Sequence, residues 1–179
     1  MIVYTFNKKP ERGFTLVESL VAISLLLVAL AGPLSIAGQG LALANFARQQ
    51  VTAAFLAQEA VEYVRNTRDS NILMDTGWLD GLSDCEALGG GTLCTVDIPQ
   101  RTVAVCPGQV CPLLRHHAES GQYGYGTGSG WEETIFTREV SLEEIAPDAE
   151  VEVRVTIRWQ TGLASKEFTA SENLLNWGS

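Results

Sequence analysis

Four cysteines, Cys85, Cys94, Cys106 and Cys111, stand as two close pairs in the middle of a 179-residue chain. Thiols so placed either ligate a soft metal or oxidise to disulfides. Zinc ribbons space the thiolates of a pair roughly two to four residues apart, and both spacings here fit that poorly. Two local disulfides, Cys85–Cys94 and Cys106–Cys111, are the expected outcome, which implies an oxidising compartment. His116 and His117 are adjacent, and neighbours on a strand point to opposite faces, so they do not chelate one ion easily; a surface loop is their expected home. Asp75, Asp80, Asp84 and Glu86 offer the oxygen ligands calcium prefers. They lack EF-hand spacing, so a solvated acidic loop is the simpler reading, with Asp75, Asp80 and Asp84 as the candidate ligands. The glycine-rich Gly121–Gly130 has no Lys-Ser/Thr ending and reads as a flexible loop, not a phosphate cradle. Tyr123, Tyr125 and Trp131 would give it an adhesive surface. No nucleophile, base and orienting acid, and no paired carboxylates, stand in a pattern that favours catalysis. The expectation is therefore no enzyme, no cofactor and no resident metal.

One further carboxylate is out of place. Lys8, Lys9 and Arg12 lie near the start, Glu18 follows, and from Ser19 to Ala47 no residue is charged. A carboxylate at the head of an apolar run is costly and calls for a partner. The run itself must position it. Phe14–Ala31, rich in Leu, Val, Ala and Ile, supplies most of the roughly 20 residues a membrane helix needs. Basic residues before it and acidic sequence after it put the N-terminus in the cytoplasm and the body across the membrane. A secretory signal peptide is the rival, with Ala37-Gly38-Gln39 or Ala42-Leu43-Ala44 as cleavage sites. Against it, apolar character continues to Phe46 and passes into a helical pattern without a break. Gly32-Pro33 interrupts the run: proline removes a backbone donor and kinks or melts a helix. That is either a tolerated membrane-helix kink or a segment that unwinds when the chain leaves the bilayer.

Beyond Ala44, Ala53, Ala57, Ala60 and Val64 recur at helical spacing, widened by Leu56 and Val61. Arg48, Gln49, Gln58, Glu59, Glu62 and Arg65 take the other face. The helix should end near Asp69-Ser70-Asn71, about 56 residues and roughly 80 Å from Phe14. Residues 71–130 read as a loop region, with Thr92–Ile98 and Arg101–Cys106 as short strands. The last third alternates strictly: Val151, Val153, Val155, Ile157 and Trp159 against Glu152, Arg154, Thr156 and Arg158, a strand with one buried face. Thr161-Gly162 is a turn, Ser165–Ala170 a return strand, and Ile135–Val140 a strand before it, making an antiparallel meander. Its apolar face needs the amphipathic helix as cover. The chain carries a net charge of −9, and losing the basic N-terminus makes it more acidic, so nucleic acid is not an expected partner of the body.

Gly13-Phe14-Thr15-Leu16-Val17-Glu18 before an apolar helix resembles the class III signal of type IV pilins and type II secretion pseudopilins. The ending, Val151–Trp159 then Leu174-Leu175-Asn176-Trp177, looks like the minor pilins called pilus modification proteins and the I-type minor pseudopilins. The resemblance implies an α+β pilin fold, a long N-terminal helix on an antiparallel sheet. It divides the chain into a leader (1–13), an assembly helix (14–46) and a globular domain (47–179: helix 47–70, loops 71–130, sheet 131–179). It also implies cleavage between Gly13 and Phe14 by prepilin peptidase and N-methylation of Phe14 by the same kind of enzyme. Glu18 would neutralise the new terminal ammonium of a neighbouring subunit during assembly. The implied partners are other pilin or pseudopilin subunits, an inner-membrane assembly platform and, before assembly, lipid. The implied location is the inner membrane, then an extracellular filament or periplasmic pseudopilus. Many major pilins carry the helix-breaking proline further along than Pro33, and a disulfide near the C-terminus that this chain lacks. The competing class is a membrane-anchored extracytoplasmic binding or adhesion protein that uses the same signal.

Overall fold

A computed structural model describes residues 13–86 and 92–177. The basic residues Lys8, Lys9 and Arg12 and the run Gly89-Gly90-Gly91 lie outside the described residues. The chain forms two compact units, with the boundary between Asn45 and Phe46.

The first unit is helical. Helix α1 spans Leu16–Leu73, and its part in this unit leaves Leu20, Ile23, Leu26, Leu30 and Ile36 exposed. An apolar, unburied helix is not a fold that water stabilises; it needs lipid or other helices around it. Among the described residues it is the one helix long and apolar enough to cross a membrane. At Gly32-Pro33, where a tolerated kink and a segment that unwinds outside the bilayer were the two expectations, α1 keeps its helical backbone. A proline costs one internal hydrogen bond, and helices rich in Leu and Ala carry that loss without unwinding.

The second unit is α+β. The α1 residues Ala53, Leu56, Ala57, Ala60, Val61 and Val64 are buried, the small side chains letting the backbone approach a sheet closely. The expected stripe is the observed one, and the helix ends two residues past the expected stop. Among the described residues seven strands form: β1 (Cys94–Asp97), β2 (Thr102–Val105), β3 (Leu113–His117), β4 (Tyr123–Gly124), β5 (Trp131–Ala146), β6 (Glu150–Thr161) and β7 (Ala164–Leu175). Every named pairing is antiparallel. β5, β6 and β7 form the meander, and β5 also pairs with β1 and β3. Val151, Val153, Val155 and Ile157 are fully buried and Trp159 nearly so. Such burial stabilises by about 1.5–3 kcal/mol per side chain.

Three expectations are corrected here. Strand β5 runs well beyond Ile135–Val140 at both ends. His116 and His117 lie on β3 and not in a loop. The supposed flexible loop Gly121–Gly130 contains β4, and its glycines let neighbours close in: at Gly126 a Cβ would stand 2.4 Å from the Trp131 ring. Gly130 combines a φ of +87° with a packed His117 ring, so no other residue fits there without strain.

Both disulfides form as expected, Cys85–Cys94 and Cys106–Cys111. No thiol is left for zinc. The first ties a 3-10 turn, Ser83–Cys85, to β1 and is fully buried. Its half-cystines are separated by 9 residues against 5 for the second. Replacing Cys85 and Cys94 together by alanine should lower stability by about 3 kcal/mol, and replacing Cys106 and Cys111 by about 2 kcal/mol. Denaturant midpoints of the full chain in detergent check both the losses and their order.

Candidate functional site

The residues singled out at the front of the chain meet at the start of α1. Gly13, Phe14 and Thr15 precede the helix in non-helical backbone. A helix start leaves four N–H groups without partners, and here the Thr15 hydroxyl accepts from the Glu18 N–H at 3.2 Å. The Thr15 carbonyl accepts from Ser19 N–H at 3.1 Å. Thr15 is thus the N-cap, and Thr15-Leu16-Val17-Glu18 has the spacing of a capping box. That cap was readable from the Thr-x-x-Glu pattern ahead of an apolar run, and the emphasis on charge alone missed it.

Glu18 sits in the first turn, where the helix dipole favours a negative charge. It is exposed, and so are Phe14, Leu16 and Val17 around it. Between Gly13 and Ala47 the sequence holds no basic residue. A countercharge for Glu18 within an apolar environment therefore has to come from outside this stretch of chain. Gly13 is equally open: a Cβ built on it would meet nothing within 4 Å.

The second unit does not assemble the other candidates. Asp75, Asp80 and Asp84 are exposed, and Asp80 is occupied as an acceptor for the Gly77 N–H at 3.1 Å. Among the described residues no group of three or more His, Cys, Asp or Glu is placed to hold a metal ion. Asp80 instead lines a cleft of about 470 Å³ with Glu86, Glu144 and Asp148. Burial, then the charges of Glu144 and Asp148, raise the pKa of Glu86. The two histidines diverge as their strand position requires. The His116 ring tilts against Tyr123 at 4.9 Å, while His117 meets Trp131 edge-on at 5.1 Å and takes the Ser120 N–H on Nδ1.

A buried cation was not foreseen. Arg138 on β5 is wholly inaccessible. Its guanidinium donates to the Leu56 carbonyl at 3.4 Å and to Glu59 at 3.2 Å, both on α1, and to the Val96 carbonyl on β1. The Tyr125 hydroxyl is buried close by, and burial pushes its pKa up to about 12 against the pull of Arg138. Asp97 completes the cluster, accepting the Tyr125 N–H at 3.2 Å and the Gln100 N–H at 3.3 Å. The strand phase held the clue: Phe136, Arg138, Val140 and Leu142 all fall on the inward face. The cluster joins α1, β1 and β5, and its Glu59 also lines an open cleft of about 800 Å³ with Phe55, Tyr63, Ile98 and Arg101.

Residues 8–32 match the family model for the prokaryotic N-terminal methylation motif, the class III signal of type IV pilins and pseudopilins. No curated protein and no solved structure matches the chain.

Proposed function

We propose that this chain, which carries the class III signal at residues 8–32, is a structural filament subunit, a pilin or pseudopilin of the minor type. It is made as a membrane-anchored precursor with its N-terminus in the cytoplasm. Prepilin peptidase cuts between Gly13 and Phe14, and Phe14 is N-methylated. The mature subunit then enters a pilus or a secretion filament by packing its apolar helix among those of other subunits, from an inner-membrane assembly platform.

The observation that carries this reading is the position of the motif. It stands at the capped start of a 58-residue helix whose first unit is apolar and unburied, and whose second unit covers an antiparallel sheet. An apolar surface of that size is stable in lipid and equally stable among like helices, so transfer between them costs little in hydrophobic terms. The cost of transfer falls on Glu18. The ammonium created at Phe14 by cleavage is a compact countercharge, and in a filament a neighbour can bring its own to Glu18. Pairing of that kind offsets the expense of a carboxylate among apolar side chains. Pro33 supports the reading less directly, as the place where an otherwise regular helix holds fewest internal hydrogen bonds.

Glu18→Ala separates assembly from anchoring. The variant should be cut and retained in the membrane like wild type, yet be depleted about tenfold or more from sheared filaments, as loss of one buried charge pair requires. Immunoblots of sheared and membrane fractions read both quantities. Equal incorporation of Glu18→Ala and wild type would remove the assembly role. A wild-type chain that stays in membranes, never pellets with filaments and never alters their assembly is the outcome expected of an anchored binding protein.

A further inference from the structure

Among the described residues of the second unit, the turn between β6 and β7 holds the most exposed large apolar side chain. The register closes at Thr161↔Ala164, leaving Gly162 and Leu163 as a two-residue turn. Gly162 has a φ of +62°, and Leu163 is 108% exposed. A hairpin tip in water normally carries Asn, Asp, Gly or Ser. A leucine held outward there gains nothing from the fold.

Its surroundings say what it faces. The run Gln160–Ser165 has no charge, and the nearest charges along the chain on either side are Arg158 and Lys166. The first acid beyond them, Glu167, is paired with Arg158 at 2.6 Å. Across the unit, Thr161 donates its hydroxyl hydrogen to Gln49 at 2.7 Å, and the Lys166 ammonium stands 5.6 Å from the centre of the Phe46 ring. The tip therefore lies at the level of Phe46, Arg48 and Gln49 on α1. Arg48 is the first charge after the uncharged stretch that begins at Ser19. From Glu18 to Arg48 a helix covers about 45 Å, close to the roughly 40–45 Å of a bilayer with its headgroups. In a chain that leaves the membrane at its first charge, Phe46 and Arg48 stand at the exit, and the hairpin tip is held against that same part of α1. An otherwise acidic chain presents there an exposed leucine three residues from Lys166, with the exposed Arg48 on the neighbouring stretch of α1, the pairing of apolar anchor and basic side chain that binds an interface.

We propose that the β6–β7 hairpin tip is a second membrane contact, Leu163 inserting at the lipid headgroup boundary with Lys166 and Arg48 at the phosphates. The proposal rests on the reading of α1 as the membrane anchor. It gives the precursor two points of attachment, so that the second unit is held at the bilayer until the subunit is extracted into a filament.

The test uses the full chain reconstituted in vesicles of phosphatidylethanolamine and phosphatidylglycerol. The native cysteines are consumed in disulfides, so one introduced thiol carries an environment-sensitive fluorophore. Three single variants are compared: Leu163→Cys, Leu73→Cys at the far end of α1, and Leu25→Cys within the apolar run. The expected result is blue-shifted emission from position 163 and loss of most of it to a shallow spin-labelled lipid, with position 73 in water and unquenched. Position 163 as wet as position 73, with position 25 quenched by lipid, overturns the hairpin contact and leaves the anchor intact. Position 163 shielded from a water-soluble quencher yet untouched by spin-labelled lipid means that protein covers the tip, which also overturns it. Position 25 in water overturns the anchor itself, and the hairpin contact with it.

Discussion

A precursor carrying Gly13→Val remains full length in cells that contain prepilin peptidase, and accumulates in the membrane. The peptidase reads a short stretch at the membrane border, and a site shaped to accept no side chain pays for a valine with steric overlap. Discrimination of this kind reaches on the order of 10- to 100-fold for a few added carbons in a tight pocket. The substitution should be silent for folding. Gly13 lies outside the helix, and a Cβ there has nothing within 4 Å. Uncut chain that is otherwise folded, with both disulfides closed, therefore locates the defect in processing. Cleavage of Gly13→Val at the wild-type rate would place the cut elsewhere and detach Phe14 and Glu18 from their assigned roles. Mobility on a gel distinguishes precursor from product, and mass spectrometry fixes the end.

Arg138→Ala should cost the second unit about 3–5 kcal/mol, the penalty for breaking a buried, hydrogen-bonded cation. Truncation leaves the carbonyls of Leu56 and Val96 buried without their donor, and opens a void between α1, β1 and β5. Glu59 is more tolerant: its side chain is 40% exposed and can turn to water. Glu59→Gln should accordingly cost less than about 1 kcal/mol. Denaturant unfolding of the full chain in detergent micelles, followed through the fluorescence of buried Trp159, measures both. A loss under about 1 kcal/mol for Arg138→Ala would mean that α1 is held by its apolar stripe alone. Because the first unit contains none of these contacts, membrane insertion should survive the substitution even where the second unit opens.

How far the sequence carried depended on whether an element declares itself locally. The alternation from Val151 to Trp159 and the alanine stripe from Ala53 to Val64 are local patterns, and both reappear as buried faces. Strand β3 has no such pattern. Leu113-Leu114-Arg115-His116-His117 buries only Leu114 fully, and it is a strand because β5 offers it a pairing edge, with a shift in register between Leu113 and Arg115. Strand β4 is two residues long and exists only against β3. Tertiary pairing decided both, and propensity cannot report that. The glycines from Gly121 to Gly130 misled in a related way. They looked like freedom, whereas Gly124 and Gly126 are small so that Asp97 and Trp131 can close on the backbone. At Pro33 the sequence leaves a tolerated kink and a local unwinding both open, because a single proline costs a bond without ending a long helix. Thr15 was underweighted, although the cap it forms needs only the Thr-x-x-Glu spacing. The acidic loop shows the limit of composition: Asp75, Asp80 and Asp84 are close in sequence and are not gathered at one point in space.

The central claim is that the chain is a processed filament subunit anchored by its N-terminal helix. Its most direct test is the intact mass of the protein recovered from membranes after co-expression with prepilin peptidase. The account predicts a single chain beginning at N-methylated Phe14, with Cys85–Cys94 and Cys106–Cys111 oxidised. A chain beginning between Ala37 and Ala44 would contradict it, because the apolar run would then be a discarded signal peptide, and Glu18 would never reach a filament.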